Sequence, residues 1–373
     1  MRHRFHFTAV PMLLSVFLSH ANAQKPAVES EPFGTMPTGE IVQQFTLRNT
    51  NGAQAKVIEF GAIITELSVP DKVGKRTNVV LASDSLETYL QGFPAAAVMG
   101  RYAGRIGGGR FLLEGTPIQV TKNAGENHIH GGSKHFGKLL WKGVQPKAEN
   151  GASVELQYAS PDGEEGFPGT LNVSVTYALT DANELKIQYK ASTDKITVIN
   201  LTNHAYFNLA GAGGDVLKHV LQIEADRTTV VNKSLIPTGE FASVNQTDLD
   251  FRSPRPIGER IEKLYGTLGG AFRGYDHTYE LRGENGTLRL AATVSEPTSG
   301  RVMECFTTEP AVQLFTANGF NNNPFPKHGG FCLETQHYPD SPNRPEFPSV
   351  VLRPGVSWTS STIFRFTVKE NNP

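Results

Sequence analysis

The sequence predicts an all-β fold, a large antiparallel β-sandwich with few short helices. Three observations carry this prediction: many short segments alternate apolar and polar residues, turn signals separate them, and strands do not alternate with long helices. Period-two alternation rich in β-branched and aromatic residues is typical of half-buried antiparallel strands. Because a parallel sheet needs strand–helix–strand units, packed antiparallel sheets are the expected architecture.

The composition agrees with a turn-rich globular protein. The 373 residues include 37 Gly and 23 Pro, about 16% of the chain against roughly 12% on average. The 35 Lys and Arg nearly balance the 36 Asp and Glu, for a net charge of −1, so the basic excess that marks a nucleic-acid partner is missing. Hydrophobic residues make up 38%, enough for a large core, and no apolar run is long enough to span a bilayer.

The first 23 residues have the order of a secretory signal peptide. Arg2 and Arg4 form a basic start, residues 5–18 are largely apolar, and Ala21-Asn22-Ala23 is a small-residue cleavage site. Residues 1–23 are therefore predicted to be removed on export. We expect the mature protein to be periplasmic, or otherwise secreted, and not attached to a membrane.

The remainder of the chain is predicted to hold one domain. Residues 24–38 are rich in Pro, Glu and small residues and are expected to be a flexible mature N-terminus. No linker of low complexity divides residues 39–370, so a single β-sandwich domain is expected there. Its oligomeric state is expected to be a monomer or a weak dimer.

The predicted strands follow in order along this domain. Alternating segments cover residues 154–158, 171–177, 185–189, 288–290 and 362–368. Turn signals include Asn51-Gly52, Asp162-Gly163 and Asp181-Ala182-Asn183. Asn285-Gly286, between residues 279–281 and 288–290, is interpreted as the turn of a hairpin. Helices of about two turns are predicted only over residues 84–90 and 257–264.

Five polar clusters interrupt the strand pattern and could carry chemistry. They are GRYAGRI (100–106), NHIHGG (127–132), TNHAYFNLAG (202–211), GYDHTY (274–279) and GFCLETQHYPD (330–340). Glu334 stands in apolar, strand-like surroundings, where loss of hydration raises a carboxyl pKa towards that of a general base. His204, flanked by Asn203 and Tyr206, is suited to proton transfer near neutral pH.

Other members of these clusters leave alternatives open. His128 and His130, two residues apart on a predicted strand, could share a face and bind a metal. Two ligands make an incomplete set, so we expect no metal and a hydrogen-bonding role for His130. Asp276 could accept hydrogen bonds from hydroxyl groups or cap a turn. The residues alone thus indicate an acid/base enzyme, or a binding protein, for a polyhydroxylated ligand.

The five clusters, in this order, resemble hallmark segments of the aldose 1-epimerases, also called galactose mutarotases. The resemblance covers roughly residues 38–369 and includes SPDGEEGFPG (160–169), LIPTGE (235–240) and VQLFTANGF (312–320). Any one segment is weak evidence, whereas the ordered set is specific. The resemblance implies an exported member of this family, with a large β-sandwich of the galactose mutarotase type and a small aldose as substrate.

The resemblance also implies roles for individual residues. Glu334 matches the general base of the family and His204 its general acid. Arg105, His130, Asp276 and Gln313 match substrate-binding positions, with Tyr206 beside them. Gly104 departs from the family, because many members carry Asn before the loop Arg, and this difference bears on sugar preference rather than reaction type. No cofactor is expected, since the implied reaction only moves protons.

Competing functions remain at this stage. A hexose-6-phosphate 1-epimerase would need more basic residues around C6 of the sugar, and export does not suit a sugar phosphate. A noncatalytic carbohydrate-binding module could keep the sandwich, as could a polysaccharide lyase or glycosidase, since one fold hosts many functions. Cys305 and Cys332 are the only cysteines; we expect buried free thiols, with a single disulfide as the alternative.

Overall fold

The computed structural model describes residues 27–93, 95–144, 151–264 and 274–369. Within these ranges three antiparallel sheets and several two-stranded ribbons surround one main hydrophobic core. The predicted all-β sandwich is therefore confirmed. The predicted signal peptide lies outside the described residues, and among the described residues no helix is long and apolar enough to cross a membrane.

The largest sheet has nine strands. In spatial order they are Lys142–Val144, Ala152–Ser160, Leu171–Leu179, Glu184–Thr193, Trp358–Val368, Arg301–Thr307, Arg289–Ser295, Val220–Ile223 and Arg255–Pro256. Alternation explains their packing: every second residue from Leu171 to Leu179 is buried, and the residues between are more exposed. All the segments predicted as strands from alternation lie in this sheet, except for Leu288, which precedes the strand Arg289–Ser295.

A second, five-stranded sheet is formed near the N-terminus. Its strands are Ala27–Thr35, Ile41–Arg48, Gln54–Ile58, Ile64–Pro70 and Arg76–Asn78. The first of them falls within residues 24–38, which were expected to be flexible, and the structure instead pairs it with Ile41–Arg48. It is an edge strand with a mostly exposed face and a bulge between Pro32 and Gly34. Edge strands tolerate Pro and need no strict alternation, which explains why the sequence does not reveal it.

A third sheet, which we call the site sheet, carries two of the five polar clusters, GYDHTY and GFCLETQHYPD. Its order is Pro237–Ser243, Ala225–Val231, Asp276–Leu281, Ala311–Phe315 and Cys332–Gln336. Asp276–Leu281 belongs to this sheet and Arg289–Ser295 to the nine-stranded one, so the hairpin predicted at Asn285-Gly286 is wrong. The turn exists, but it crosses between sheets because each flanking strand already has two other neighbours.

Short elements complete the fold. The two-stranded ribbons pair Arg105–Ile106 with His128–Ile129, Val98–Met99 with Thr202–Asn203, Arg110–Leu113 with Thr116–Gln119, and Thr197–Val198 with Val351–Leu352. The helix predicted over 84–90 is a single α-helical turn, Leu86–Leu90, and that over 257–264 is two 3-10 turns, Ile257–Glu259 and Ile261–Leu264. Further 3-10 turns are Gly107–Gly109, Phe136–Lys138, Glu164–Gly166 and Ser341–Asn343.

Arg301 ties the nine-stranded sheet to the N-terminal sheet. Its side chain is only 2% exposed and donates to the carbonyl oxygens of Val69 (3.2 Å), Leu209 (2.9 Å) and Lys75 (2.8 Å). It also donates to the Thr77 hydroxyl at 3.0 Å. A guanidinium carries five N–H donors, so one buried arginine side chain can donate to several carbonyl oxygens at once.

We expect Arg301→Met to destabilise the protein by about 3–5 kcal/mol, because it removes the side-chain donor to the Leu209 carbonyl and leaves the Asp71 carboxylate, 3.8 Å from Arg301 Nη2, without its cation. Urea unfolding would measure this change. The matched control is Arg353→Met, since the Arg353 side chain is 57% exposed and pairs only with Glu114 in the contacts described; it should cost less than about 1 kcal/mol. Equal stability losses for the two variants would contradict the joining role of Arg301.

Candidate active site

All the site residues predicted from the sequence meet at one cavity of about 290 Å³. They are Gly104, Arg105, His130, His204, Tyr206, Asp276, Gln313 and Glu334. Its volume is near the lower end of the roughly 300–1,000 Å³ typical of small-ligand pockets, which suits one sugar ring. The site sheet forms one side of the cavity, and loops from the ribbons form the other.

Strand register places the acidic residues Asp276 and Glu334 on the same face of the site sheet, with the strand that carries Gln313 between them. Gln313 pairs with Glu334 on one neighbouring strand and with Thr278 on the other. Asp276 lies two residues before Thr278, so it faces the same way. The row Thr278, Gln313 and Glu334 is thus a continuous polar stripe across three strands, with Asp276 next to it.

Glu334 is the most buried ionisable group in this stripe. Its residue is 2% exposed, and its Oε1 atom lies 3.6 Å from His204 Nε2. The second oxygen, Oε2, is buried without a hydrogen-bond partner in the protein. Burial raises the pKa of the Glu334 carboxyl, and nearby Asp276 adds to this rise, whereas His204 and Arg105 oppose it. A carboxylate with an unused acceptor oxygen and a raised pKa is suited to accept a substrate proton.

His204 faces Glu334 from the loop after the strand Thr202–Asn203. Its backbone N–H donates to the Ala97 carbonyl at 2.9 Å, and its ring lies 4.9 Å from the Tyr206 ring, centroid to centroid. Nδ1 lies 3.5 Å from the Cys332 sulfur, and burial raises the pKa of that thiol well above its ordinary value. At 3.6 Å, Nε2 and the Glu334 oxygen are slightly too far apart to hydrogen-bond to each other, so each remains free to contact an atom of a substrate.

His130 is held in one tautomer by the GRYAGRI loop. The backbone N–H of Gly104 donates to the ring atom Nδ1 of His130 at 3.2 Å, and the backbone N–H of His130 donates to the Gly104 carbonyl at 2.9 Å. Because Nδ1 is an acceptor, the proton of the neutral ring sits on Nε2. Burial, together with His204 and Arg105, lowers the pKa of His130 well below its ordinary value. His130 is therefore a neutral Nε2–H donor.

Asp276, Gln313 and Arg105 form a polar group farther from His204. Gln313 donates from Nε2 to Asp276 Oδ1 at 2.5 Å and accepts from the Thr278 hydroxyl. Arg105 Nη2 lies 4.0 Å from Asp276 Oδ2. Burial raises the pKa of Asp276, although Arg105 and Gln313 oppose this change. Opposed donors and acceptors of this kind match the hydroxyl groups of a sugar, which both donate and accept.

The residues at the cavity do not suit a metal ion. Potential ligand atoms of His130, His204 and Glu334 lie within 4.8 Å of one another. A metal needs a free lone pair on each imidazole, but His130 Nδ1 already accepts from Gly104 and Nε2 carries the proton. His128, the other candidate from the sequence, is buried with Nδ1 2.7 Å from the Thr121 carbonyl and does not line the cavity.

Four residues of the cavity wall are not among the site residues predicted from the sequence: Ile129, Phe315, Gln336 and Pro339. Gln336 lies two residues after Glu334 on the same strand, and Phe315 lies two residues after Gln313. Period-two alternation places Gln336 and Phe315 on the same face as Glu334 and Gln313, so this signal could have found these two. The structure also shows Cys305 and Cys332 as buried free thiols, which confirms that expectation.

The similarity of this chain to known proteins agrees with this geometry. The family profile described as Aldose 1-epimerase matches residues 43–365. The chain is 43% identical to a galactose mutarotase of Bos taurus over 90% of this chain and 97% of the relative. It is 35% identical to an aldose 1-epimerase of Escherichia coli strain K12, over 88% of this chain and 96% of the relative.

A solved structure gives the same result in three dimensions. The crystal structure of galactose 1-epimerase from Lactobacillus acidophilus NCFM has a TM-score of 0.83 and 27% sequence identity, covering 93% of this chain and all of that one. The sequence similarity extends across the β-sandwich and all five polar clusters. The chain therefore belongs to the aldose 1-epimerase family.

Proposed function

We propose that the protein is an aldose 1-epimerase that interconverts the α and β anomers of free aldoses such as D-glucose and D-galactose. The observation that carries this proposal is the buried Glu334 carboxyl facing His204 at 3.6 Å in a cavity sized for one sugar ring. The enzyme is thus an isomerase that acts on carbohydrates, as are the galactose mutarotase and aldose 1-epimerase to which it is similar.

The reaction requires one proton to leave and one to arrive. Glu334 takes the proton from the anomeric O1 hydroxyl while His204 delivers a proton from Nε2 to the ring oxygen O5. The C1–O5 bond breaks as the C1–O1 double bond forms, which yields the open-chain aldehyde. Rotation about C1–C2 presents the other face of the carbonyl, and reclosure with the two roles reversed gives the other anomer.

The remaining residues hold the sugar in position for these transfers. The neutral Nε2–H of His130 and the guanidinium of Arg105 donate to sugar oxygens and stabilise the charge that develops on them. Asp276 and Gln313 bind hydroxyl groups farther from C1, so that O1 and O5 meet Glu334 and His204. The steps transfer only protons, so this chemistry needs no cofactor.

The burial of Glu334 also favours catalysis over binding alone. A binding module gains nothing from a carboxyl group with an unpartnered buried oxygen, because such a group disfavours folding. Anomer interconversion, by contrast, requires a base with a raised pKa, and a carboxylate whose charged form is poorly stabilised by its surroundings accepts a proton more readily. We further propose that the mature protein acts outside the cytoplasm, in the periplasm if the source cell has one, on the strength of the signal pattern in residues 1–23.

Glu334→Gln should lower kcat/KM by about 10²–10⁴-fold, because an amide of the same shape cannot accept the proton. His204→Asn should have a loss of similar size, because it removes the acid. Polarimetry on freshly dissolved α-D-glucose or α-D-galactose measures both. Glu184→Gln, the same change at a buried Glu in the nine-stranded sheet, is the matched control. Near wild-type mutarotation by a folded Glu334→Gln protein would refute the mechanism.

As the pH is lowered, the activity should fall with a midpoint above 4.5, the ordinary pKa of Glu. The base works only as a carboxylate, and its pKa is raised in the folded protein, so activity is lost as the pH falls through that raised value. Polarimetric rates across about pH 4 to 8, corrected for the uncatalysed reaction, measure this limb. An acid limb centred at or below the ordinary pKa would contradict the assignment of Glu334 as the buried base.

Export of the chain from a Gram-negative host should yield a mature protein that begins at Gln24, because the small-residue site ends at Ala23. N-terminal sequencing of the periplasmic fraction measures this. A chain without residues 2–23 is the control and should stay in the cytoplasm with its activity intact. Recovery of the full-length chain in the cytoplasm, with residues 1–23 uncleaved, would contradict the prediction.

A further inference from the structure

A second cavity adjoins the catalytic one. It has a volume of about 300 Å³ and shares four wall residues with the first: Ile129, His130, His204 and Tyr206. Glu334, Arg105, Asp276 and Gln313 line only the catalytic cavity. The two spaces therefore meet at the two histidines, and the second lies on the side of His204 away from the acidic stripe. None of the chemistry described above uses it.

The second cavity has an apolar floor and a polar rim. Phe60, Ile63 and Met99 are buried in its floor, and the rings of Tyr89 and Phe93 meet edge to face beside them at 5.4 Å. Asn123, His135 and Lys138 contribute the polar atoms. Aromatic walls with a few polar groups match a sugar ring, which has apolar faces and a hydroxylated edge.

The lining disfavours an anion in this space. Among its described wall residues, Lys138 is the one Lys or Arg, and it donates to the Ser133 carbonyl at 3.1 Å. Burial lowers the pKa of His135 to about 4, so its ring is neutral near pH 7. A phosphate group would thus face apolar residues and a single, already engaged cation, whereas a neutral glycosyl group would not.

The position of His204 indicates which part of the sugar points towards this space. In the proposed mechanism His204 meets the ring oxygen O5, and C5 with its C6 branch is bonded to that oxygen. The anomeric O1 must stay free for the reaction, with Glu334. Atoms that extend past His204 and away from Glu334 are therefore those on the C5–C6 edge, whereas O4 lies across the ring from C1.

We propose that the second cavity is a subsite for a glycosyl group carried on O6, so that reducing 1→6-linked disaccharides are substrates. This inference rests on the proposed function and names a substrate class for the same site. The reducing ring occupies the catalytic cavity, and the second ring lies against Phe60, Tyr89 and Phe93. A group on O4 would gain no contact from this subsite.

Anomer exchange at equilibrium provides the test. Magnetisation transfer between the α and β H1 signals of the reducing ring measures the exchange rate for any reducing sugar, without a pure starting anomer. The substrates are glucose, the 1→6-linked isomaltose and melibiose, the 1→4-linked maltose and lactose, and glucose 6-phosphate. We expect kcat/KM for the 1→6-linked pair to exceed that for the 1→4-linked pair by at least about tenfold.

Filling the second cavity should remove this preference. Ala95 is half-buried in its wall, so Ala95→Trp should lower the ratio of 1→6-disaccharide to glucose kcat/KM at least about tenfold. Ala95→Leu, a smaller filler, should give an intermediate ratio and decides the question if the Trp variant does not fold. Ala82→Trp is the matched control, since Ala82 is also half-buried but lines a different cavity. The Ala82→Trp ratio should equal that of the wild type.

The outcomes separate the two proposals. Glucose exchange without faster turnover of 1→6-linked than 1→4-linked disaccharides, or an unchanged ratio in both Ala95 variants, would overturn the subsite and leave the proposed function standing. A preference for glucose 6-phosphate over isomaltose would also overturn it, in favour of an anion site. No acceleration of glucose exchange by the wild type would overturn the proposed function and the subsite together.

Discussion

The carboxyl group of Glu334 is buried inside the protein, and the contacts around it offset the free-energy cost of removing a carboxylate from water. One oxygen faces His204 and the other has no partner in the protein. Loss of hydration disfavours the charged form, so cationic or donating groups must lie close enough to keep it accessible. His204 and Arg105 serve this purpose, while Asp276 works against it. The pKa of Glu334, and with it the strength of the base, results from the balance of these opposing effects.

The site residues come from two kinds of element, the strands of the site sheet and the loops that face it. Adjacent strands of the site sheet hold Glu334, Gln313 and Asp276 in register through main-chain hydrogen bonds. The two histidines come from loops, yet each loop is fixed by backbone contacts: His204 by Ala97 and His130 by Gly104. The Gly104 contact does more than hold a position, because it sets the tautomer of His130 and thereby removes it as a metal ligand.

Alternation in the sequence predicts most strands of the largest sheet, and the ordered motifs predict eight of the twelve residues that line the catalytic cavity. It does not predict which strands become neighbours, as the turn at Asn285-Gly286 shows, because partner choice depends on residues far away in the chain. The edge strand Ala27–Thr35 is missed for a local reason: most of it is exposed, so its sequence shows no apolar alternation. The tautomer of His130 and the 3.6 Å gap between His204 and Glu334 join residues 26 and 130 positions apart, which no local pattern reveals.

The strand Trp358–Val368 comes last among the described strands but lies in the interior of the nine-stranded sheet, between Glu184–Thr193 and Arg301–Thr307. The two parts of that sheet cannot join until almost the whole chain has left the ribosome. Contacts over such sequence distances form slowly, and a chain that lacks them stays open. A chain of this fold therefore lacks its completed nine-stranded sheet until its last described strand has been synthesised.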